Sequence, residues 1–131
     1  MLKSMLVKDY MVADHLAFSP EMDVLQAIQA LLDHRLSGAP VVDSTGKLLG
    51  FLSEKDALKV AMNASYYEEP AGPVRQYMTA NAITLDAEAS LADAVELFVK
   101  NPYRCYPVVS DGRVQGQLSR REALIALQKL W

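Results

Sequence analysis

Apolar residues in this chain follow two periods, and each period occurs twice. Val24, Ile28, Leu31 and Leu32 recur at the three-to-four spacing of an α-helix over 24–35 with one buried face. Leu91, Ala94, Val95 and Phe98 repeat that spacing over 91–100. Asp23 and Ser90 stand where N-caps are needed, and Asn101-Pro102 stops the second helix because proline cannot continue it. A hairpin pattern follows each helix. Positions 40–42 turn through 43–46 into 48–52, and positions 107–109 turn through 110–112 into 114–118. Thr45-Gly46 and Asp111-Gly112 supply the positive φ of tight turns. In the second hairpin Val114, Gly116 and Leu118 alternate with Gln115 and Gln117, whereas Leu49 and Phe51 hold the latter positions in the first. That face of the first hairpin is expected to meet another element or a partner.

Each hairpin runs into a closing helix, over 54–63 and 120–130. A short leading helix is predicted over 5–11, with Leu6, Tyr10 and Met11 on one side, and is echoed at 74–78 through Tyr77 and Met78. Brief strands are predicted within 14–20 and 81–86. The segment 64–73 is polar, holds proline and glycine, and reads as a linker.

The echoes match residue by residue. Pro40 answers Pro107, Val41-Val42 answer Val108-Val109, Gly50 answers Gly116 and Ser53 answers Ser119. Such a repeat is a unit too small to bury its apolar face alone. The organisation predicted is therefore a first repeat over 1–63, a linker over 64–73 and a second repeat over 74–131. The fold class is α/β (α+β), each repeat running helix-strand-helix-strand-strand-helix. The halves are expected to pack sheet to sheet about a pseudo-twofold axis, with a cleft on each side of the seam.

Composition narrows the classes of function. An apolar content of 51% over 131 residues suits a globular core. A net charge of −3 argues against a general nucleic-acid surface. The single cysteine, Cys105, permits no internal disulfide, which points to a reducing compartment and a cytoplasmic location. It reads as a small core residue rather than a nucleophile. The N-terminal stretch carries neither a signal-peptide pattern nor a membrane span. His15 and His34 are far apart and suggest no metal site, and no Ser-His-Asp or Cys-His arrangement marks an enzyme.

The informative chemistry lies where each closing helix begins. Ser53-Glu54-Lys55-Asp56 and Ser119-Arg120-Arg121-Glu122 each place a hydroxyl and a carboxylate three residues apart. One reading is a capping box, in which the acid reaches back to the N-cap N–H. The other is a nucleotide site: a helix N-terminus attracts phosphate, and a neighbouring carboxylate can accept hydrogen bonds from a ribose diol. Spacing alone leaves both open.

The two copies resemble a tandem pair of cystathionine β-synthase-type (CBS) domains. The likeness rests on Tyr-Met at the head of each copy, on Gly38-Ala39-Pro40-Val41-Val42-Asp43 with Tyr106-Pro107-Val108-Val109, and on the stretches 50–58 and 116–124. It covers nearly the whole chain. The resemblance implies a non-catalytic regulatory module that binds an adenosine nucleotide, of the AMP, ADP, ATP or S-adenosylmethionine class, as a regulatory ligand with no required cofactor. The preferred site it implies combines Leu52, Ser53 and Asp56 with Ala82, Ile83, Thr84, Tyr103 and Arg104. Arg104, with Lys55 or Arg121, would meet phosphate. The weaker site combines Leu118, Ser119 and Glu122 with His15, Leu16, Ala17, Leu36 and Ser37. There Glu122 stands where the family has Asp, and Ala17 lacks the hydroxyl of Thr84, so one ligand per chain is expected. The resemblance also implies a homodimer, with Leu49 and Phe51 as interface candidates, and a regulated enzyme or transporter as partner. The alternative is a structural dimerisation or protein-interaction module with empty clefts.

Overall fold

The computed structural model describes residues 1–13, 16–67 and 71–131, with the main chain alone for 64–67. His15 and part of the predicted linker lie outside the described residues. Two compact units emerge: a central unit, Leu16–Ala82, and a terminal unit, Met1–His15 with Ile83–Trp131.

The central unit holds α1 (Val24–His34), β1 (Gly38–Val42), β2 (Leu48–Ser53) and α2 (Glu54–Tyr67). β1 and β2 pair antiparallel, with Pro40 opposite Phe51. Phe18 adds a parallel bridge on the far side of β1, donating its N–H to the Pro40 carbonyl at 2.9 Å. Among the described residues this bridge is all that forms of the first brief strand predicted. The Asp23 carboxylate caps α1 by accepting from the Leu25 N–H at 3.1 Å. At the β1–β2 turn, Asp43 Oδ1 accepts from the Thr45 N–H (2.8 Å), the Thr45 hydroxyl (2.7 Å) and the Lys47 N–H (3.0 Å). Phe18, Val24, Ala27, Leu31, Ala39, Val41, Leu52, Val60 and Val74 form the core.

Leu32 departs from the predicted face: it is 66% exposed. At about 100° per residue, Val24, Ala27 and Leu31 define a narrow inward stripe, Ile28 flanks it, and Leu32 turns away. Its counterpart Val99 is likewise 81% exposed.

The terminal unit holds β3 (Leu85–Asp86), α3 (Leu91–Lys100), β4 (Cys105–Ser110), β5 (Arg113–Ser119) and α4 (Arg120–Gln128). β3 runs parallel to β4, and β4 antiparallel to β5. The Ser90 hydroxyl caps α3 by accepting from the Asp93 N–H at 3.2 Å. Tyr106 is fully buried, and its hydroxyl donates to the Leu97 carbonyl at 2.9 Å. Val7, Leu85, Ala87, Leu91, Ala94, Tyr106, Val108, Leu118 and Ala126 form this core.

The leading segments form single 3-10 turns, Val7–Asp9 and Val74–Gln76, rather than the short α-helices expected. Segments this short cannot offset the cost of nucleating an α-helix. Val7, not Leu6, is the buried residue. The leading turns are also exchanged: Val7 belongs to the core containing the second hairpin, and Val74 to the core containing the first.

The exchange continues along the sheet edges. Val12 and Gln117 exchange both main-chain hydrogen bonds, at 2.8 and 3.1 Å, and Thr79 and Phe51 do the same at 2.9 and 3.0 Å. These edge contacts explain the repeated glycines. A Cβ on Gly116 would lie 2.5 Å from the Val12 carbonyl oxygen and 3.1 Å from Met11 Sδ. A Cβ on Gly50 would lie 2.7 Å from Met78 Sδ and 2.9 Å from the Thr79 carbonyl oxygen. The methionine heading one copy, with the residue after it, and the glycine in the hairpin of the other are two halves of one contact.

Candidate functional site

Each hairpin delivers its second strand directly into a helix, so the strand's last serine becomes the helix N-cap. In the central unit Ser53 ends β2 and Asp56 lies in the first turn of α2. Asp56 Oδ2 accepts from the Ser53 N–H at 3.0 Å and the Ser53 hydroxyl at 2.9 Å. The Asp56 N–H donates back to Ser53 Oγ at 3.2 Å. In the terminal unit the Ser119 N–H donates to Glu122 Oε1 at 3.2 Å, and the Glu122 N–H donates to Ser119 Oγ at 3.4 Å. Both acids therefore form capping boxes, the shorter Asp56 making the tighter one. Asp56 is 6% exposed, and among the described residues no hydrogen bond reaches its Oδ1. The box thus occupies one oxygen of the carboxylate and leaves the other unpaired.

The residue before each first hairpin strand ties itself to the same helix. The Ser37 carbonyl accepts from the Glu54 N–H at 2.9 Å, and the Arg104 carbonyl accepts from the Arg120 N–H at 3.0 Å. Arg120 Nε also donates to the Tyr103 carbonyl at 3.1 Å. The side chains of Arg104, Lys55 and Arg121 are exposed. Tyr103 is half exposed and meets Tyr106 edge to face, with ring centroids 6.0 Å apart.

The predicted site residues divide between the units. Leu52, Ser53, Asp56 and Ala82 fall in the central unit, with Leu16, Ala17, Leu36 and Ser37. Ile83, Thr84, Tyr103 and Arg104 fall in the terminal unit, with Leu118, Ser119 and Glu122. The Leu52 and Leu118 side chains are fully buried in the cores, so any ligand would meet only their main chain. Phe51 is consumed within the chain: it is 9% exposed and its ring covers Gly38, where a Cβ would collide with the ring edge.

Sequence reasoning passed over Gln117. It is 4% exposed, yet its side-chain Oε1 has no hydrogen-bond partner among the described residues. The signal available was its place in the alternation, equivalent to that of Phe51 in the first copy. Cys105 is buried too, and burial first, then the Glu122 carboxylate, push its thiol up to about 12. Among the described residues no cluster of His, Cys, Asp and Glu could hold a metal. No helix among them is long and apolar enough to cross a membrane.

Comparison with known proteins names the class this geometry defines. The CBS domain model matches residues 7–63 and again 74–129. The chain belongs to the CBS-domain family and carries its domain twice in tandem. It is 28% identical over 109 residues to a 17.7 kDa protein of Acidianus ambivalens, covering 82% of this chain and 64% of that one. It is 29% identical over 123 residues to the A-adding tRNA nucleotidyltransferase of Aquifex aeolicus, covering 94% of this chain but 14% of that one. Among solved structures, CBSX2 crystallised in complex with AMP superposes with a TM-score of 0.86 at 25% identity, covering 97% of this chain and 98% of that one; CBSX2 is a CBS-pair protein from Arabidopsis thaliana. A CBS-domain pair of protein MJ0100, crystallised with 5-methylthioadenosine and S-adenosyl-L-methionine, shares the fold with a TM-score of 0.82 at 23% identity, covering 97% of this chain and 98% of that one.

Proposed function

We propose that this chain is a non-catalytic regulatory module that binds an adenosine nucleotide, of the AMP, ADP, ATP or S-adenosylmethionine class. The observation that carries the reading is the likeness to AMP-bound CBSX2 over nearly the full length of both chains. In this reading Ser53 and Asp56 work with Ala82, Ile83, Thr84, Tyr103, Arg104 and the Leu52 main chain. The unpaired Asp56 Oδ1 accepts from a ribose hydroxyl while Oδ2 keeps the helix capped. Arg104, with Lys55 or Arg121, meets phosphate. Leu118, Ser119 and Glu122, with His15, Leu16, Ala17, Leu36 and Ser37, form the second set.

Binding transmits a signal only if the ligand prefers one of two packings. We assign that response to a homodimer that acts on a partner enzyme or transporter in the cytoplasm. Exposed apolar side chains recur at equivalent places in the two copies, Leu32 with Val99 and Leu58 with Leu124, and are the interface candidates in place of Phe51. Sedimentation of Leu124→Glu should show a monomer where the parent chain is a dimer.

A second reading, a structural or protein-interaction module without ligand, is favoured by one observation: both acids already close capping boxes. A thermal-shift panel of AMP, ADP, ATP and S-adenosylmethionine decides between them. A ligand at about a hundred times its Kd stabilises by roughly 2.7 kcal/mol. The sensor reading requires such a shift, and requires Asp56→Ala to abolish it. No shift from any member of the panel leaves the interaction module.

A further inference from the structure

Each unit is closed at one sheet edge by a small latch. In the terminal unit Val12 pairs with Gln117, and in the central unit Thr79 pairs with Phe51. Each latch is a single residue pair, held by two main-chain hydrogen bonds. The chain passes from the terminal unit to the central one after His15 and back after Ala82, three residues beyond Val12 and Thr79 respectively. Both crossings of the chain therefore start from a latch.

The residue before each latch is a methionine. Met11 and Met78 lay their sulfurs over Gly116 and Gly50, the neighbours of the latched Gln117 and Phe51. Both side chains stay partly exposed, Met11 against the terminal core and Met78 against the central one. An unbranched thioether fits so narrow a place, and the room ends at the sulfur. A methyl group on the glycine would already lie 3.1 Å from Met11 Sδ, or 2.7 Å from Met78 Sδ. The polar atoms nearest that methyl position are the Val12 and Thr79 carbonyl oxygens, both acceptors, and the N–H groups of the same residues are spent in the latches. An oxygen added to either sulfur would be one more acceptor with no donor to meet, so a sulfoxide would leave the glycine for water. The thiol does not compete: Cys105 is buried, and burial holds it protonated, with its pKa pushed up to about 12.

We propose that Met11 and Met78 are paired oxidation sites through which peroxide opens the two latches and frees the chain where it passes between the units. At each site the sulfur lone pair attacks one peroxide oxygen. The O–O bond breaks and an S–O bond forms. Sulfur loses two electrons and the peroxide gains them. The departing hydroxide takes the proton of the transferred oxygen and leaves as water. The modification needs no bound nucleotide and stands apart from the reading above.

The test treats the full chain with hydrogen peroxide and maps each methionine by mass spectrometry, with Tm and amide hydrogen exchange read on the same samples. Met1 and Met62, 84% and 61% exposed, convert early and serve as controls that leave the Tm unchanged. Conversion of Met11 and Met78 should lower the Tm by roughly 5 °C and speed exchange of the Val12, Gln117, Phe51 and Thr79 amides about tenfold. Methionine sulfoxide reductase should restore both readings. Met11→Leu combined with Met78→Leu, a swap that nearly conserves volume, should keep its Tm and its protection under the same treatment. The proposal is overturned if Met11 and Met78 stay unmodified at peroxide levels that convert Met1 and Met62 fully. It is overturned too if both carry sulfoxide and neither Tm nor exchange moves. Equal losses in the leucine variant and the parent would also sink it, since the damage would then lie elsewhere. The first two results are read on the parent chain alone, whether or not the variant folds.

Discussion

Gly116→Ala tests the exchanged leading segment directly. The added methyl would sit 2.5 Å from the Val12 carbonyl oxygen, more than half an ångström inside any ordinary contact. That oxygen cannot swing away cheaply. It accepts the Gln117 N–H at 3.1 Å, while the Val12 N–H donates to the Gln117 carbonyl at 2.8 Å. Met11 Sδ, at 3.1 Å, blocks the second route. The strand must therefore shift or the pair must open, at a cost of about 2–3 kcal/mol, the upper range for overpacking. Gly116 has ordinary negative φ, so alanine brings no backbone strain and returns roughly 0.5 kcal/mol by restricting the unfolded chain. The net loss is about 2 kcal/mol, or roughly 7 °C in Tm for a chain of this length. Gly50→Ala should cost less, about 1 kcal/mol, because its main-chain clash is milder, 2.9 Å to the Thr79 carbonyl oxygen against 2.5 Å, and its nearest atom, the Met78 sulfur at 2.7 Å, belongs to a flexible side chain. Thermal and urea unfolding of both variants measure the difference. If Gly116→Ala melts with or above the parent chain, residues 11–12 do not pack against β5 and the exchange is wrong.

Other outcomes follow from single groups. Asp56→Ala should lower unliganded stability by about 1 kcal/mol through loss of the capping acceptor, with Asp56→Asn costing less, both read by urea unfolding. The Thr45 hydroxyl, then the Thr45 and Lys47 N–H groups, hold the Asp43 carboxyl below its ordinary range. Its contribution to stability is present above the unfolded aspartate pKa and lost as pH falls through the lower folded value, so Asp43→Ala should flatten that acid limb. The Cys105 thiol is held up to about 12, against an ordinary value of 9.0. Its contribution is full below 9.0 and lost as pH rises from there toward 12, because the unfolded chain ionises first. Cys105→Ala should remove that alkaline slope, and disulfide reagents at pH 8 should label Cys105 only on unfolding.

Much of this protein could be read from local spacing. The α1 and α3 stripes, the caps at Asp23 and Ser90, and the turns at Asp43 and Asp111-Gly112 involve groups within four residues of one another. Each such interaction is complete within a few residues, so the order of residue types carries it. The internal duplication made the architecture legible in the same way, and the Ser53–Asp56 spacing made the capping box legible.

What the spacing could not carry was the partner each segment would choose across the chain. Met11-Val12 and Gly116 are more than a hundred residues apart, yet one closes over the other. Val7 and Val74 look like members of their own repeats and are buried with the opposite hairpins. Leu32 reads as core and faces outward; Gln117 reads as a surface position and is buried with an unpaired carbonyl. Apolar burial is nondirectional: it favours any surface that excludes water, and only the assembled backbone decides which one is within reach. Local residue order was enough for the long helices, the two hairpins and their duplication. The tertiary structure alone decided which copy's edge each leading segment covers, and so which polar groups were left without a partner.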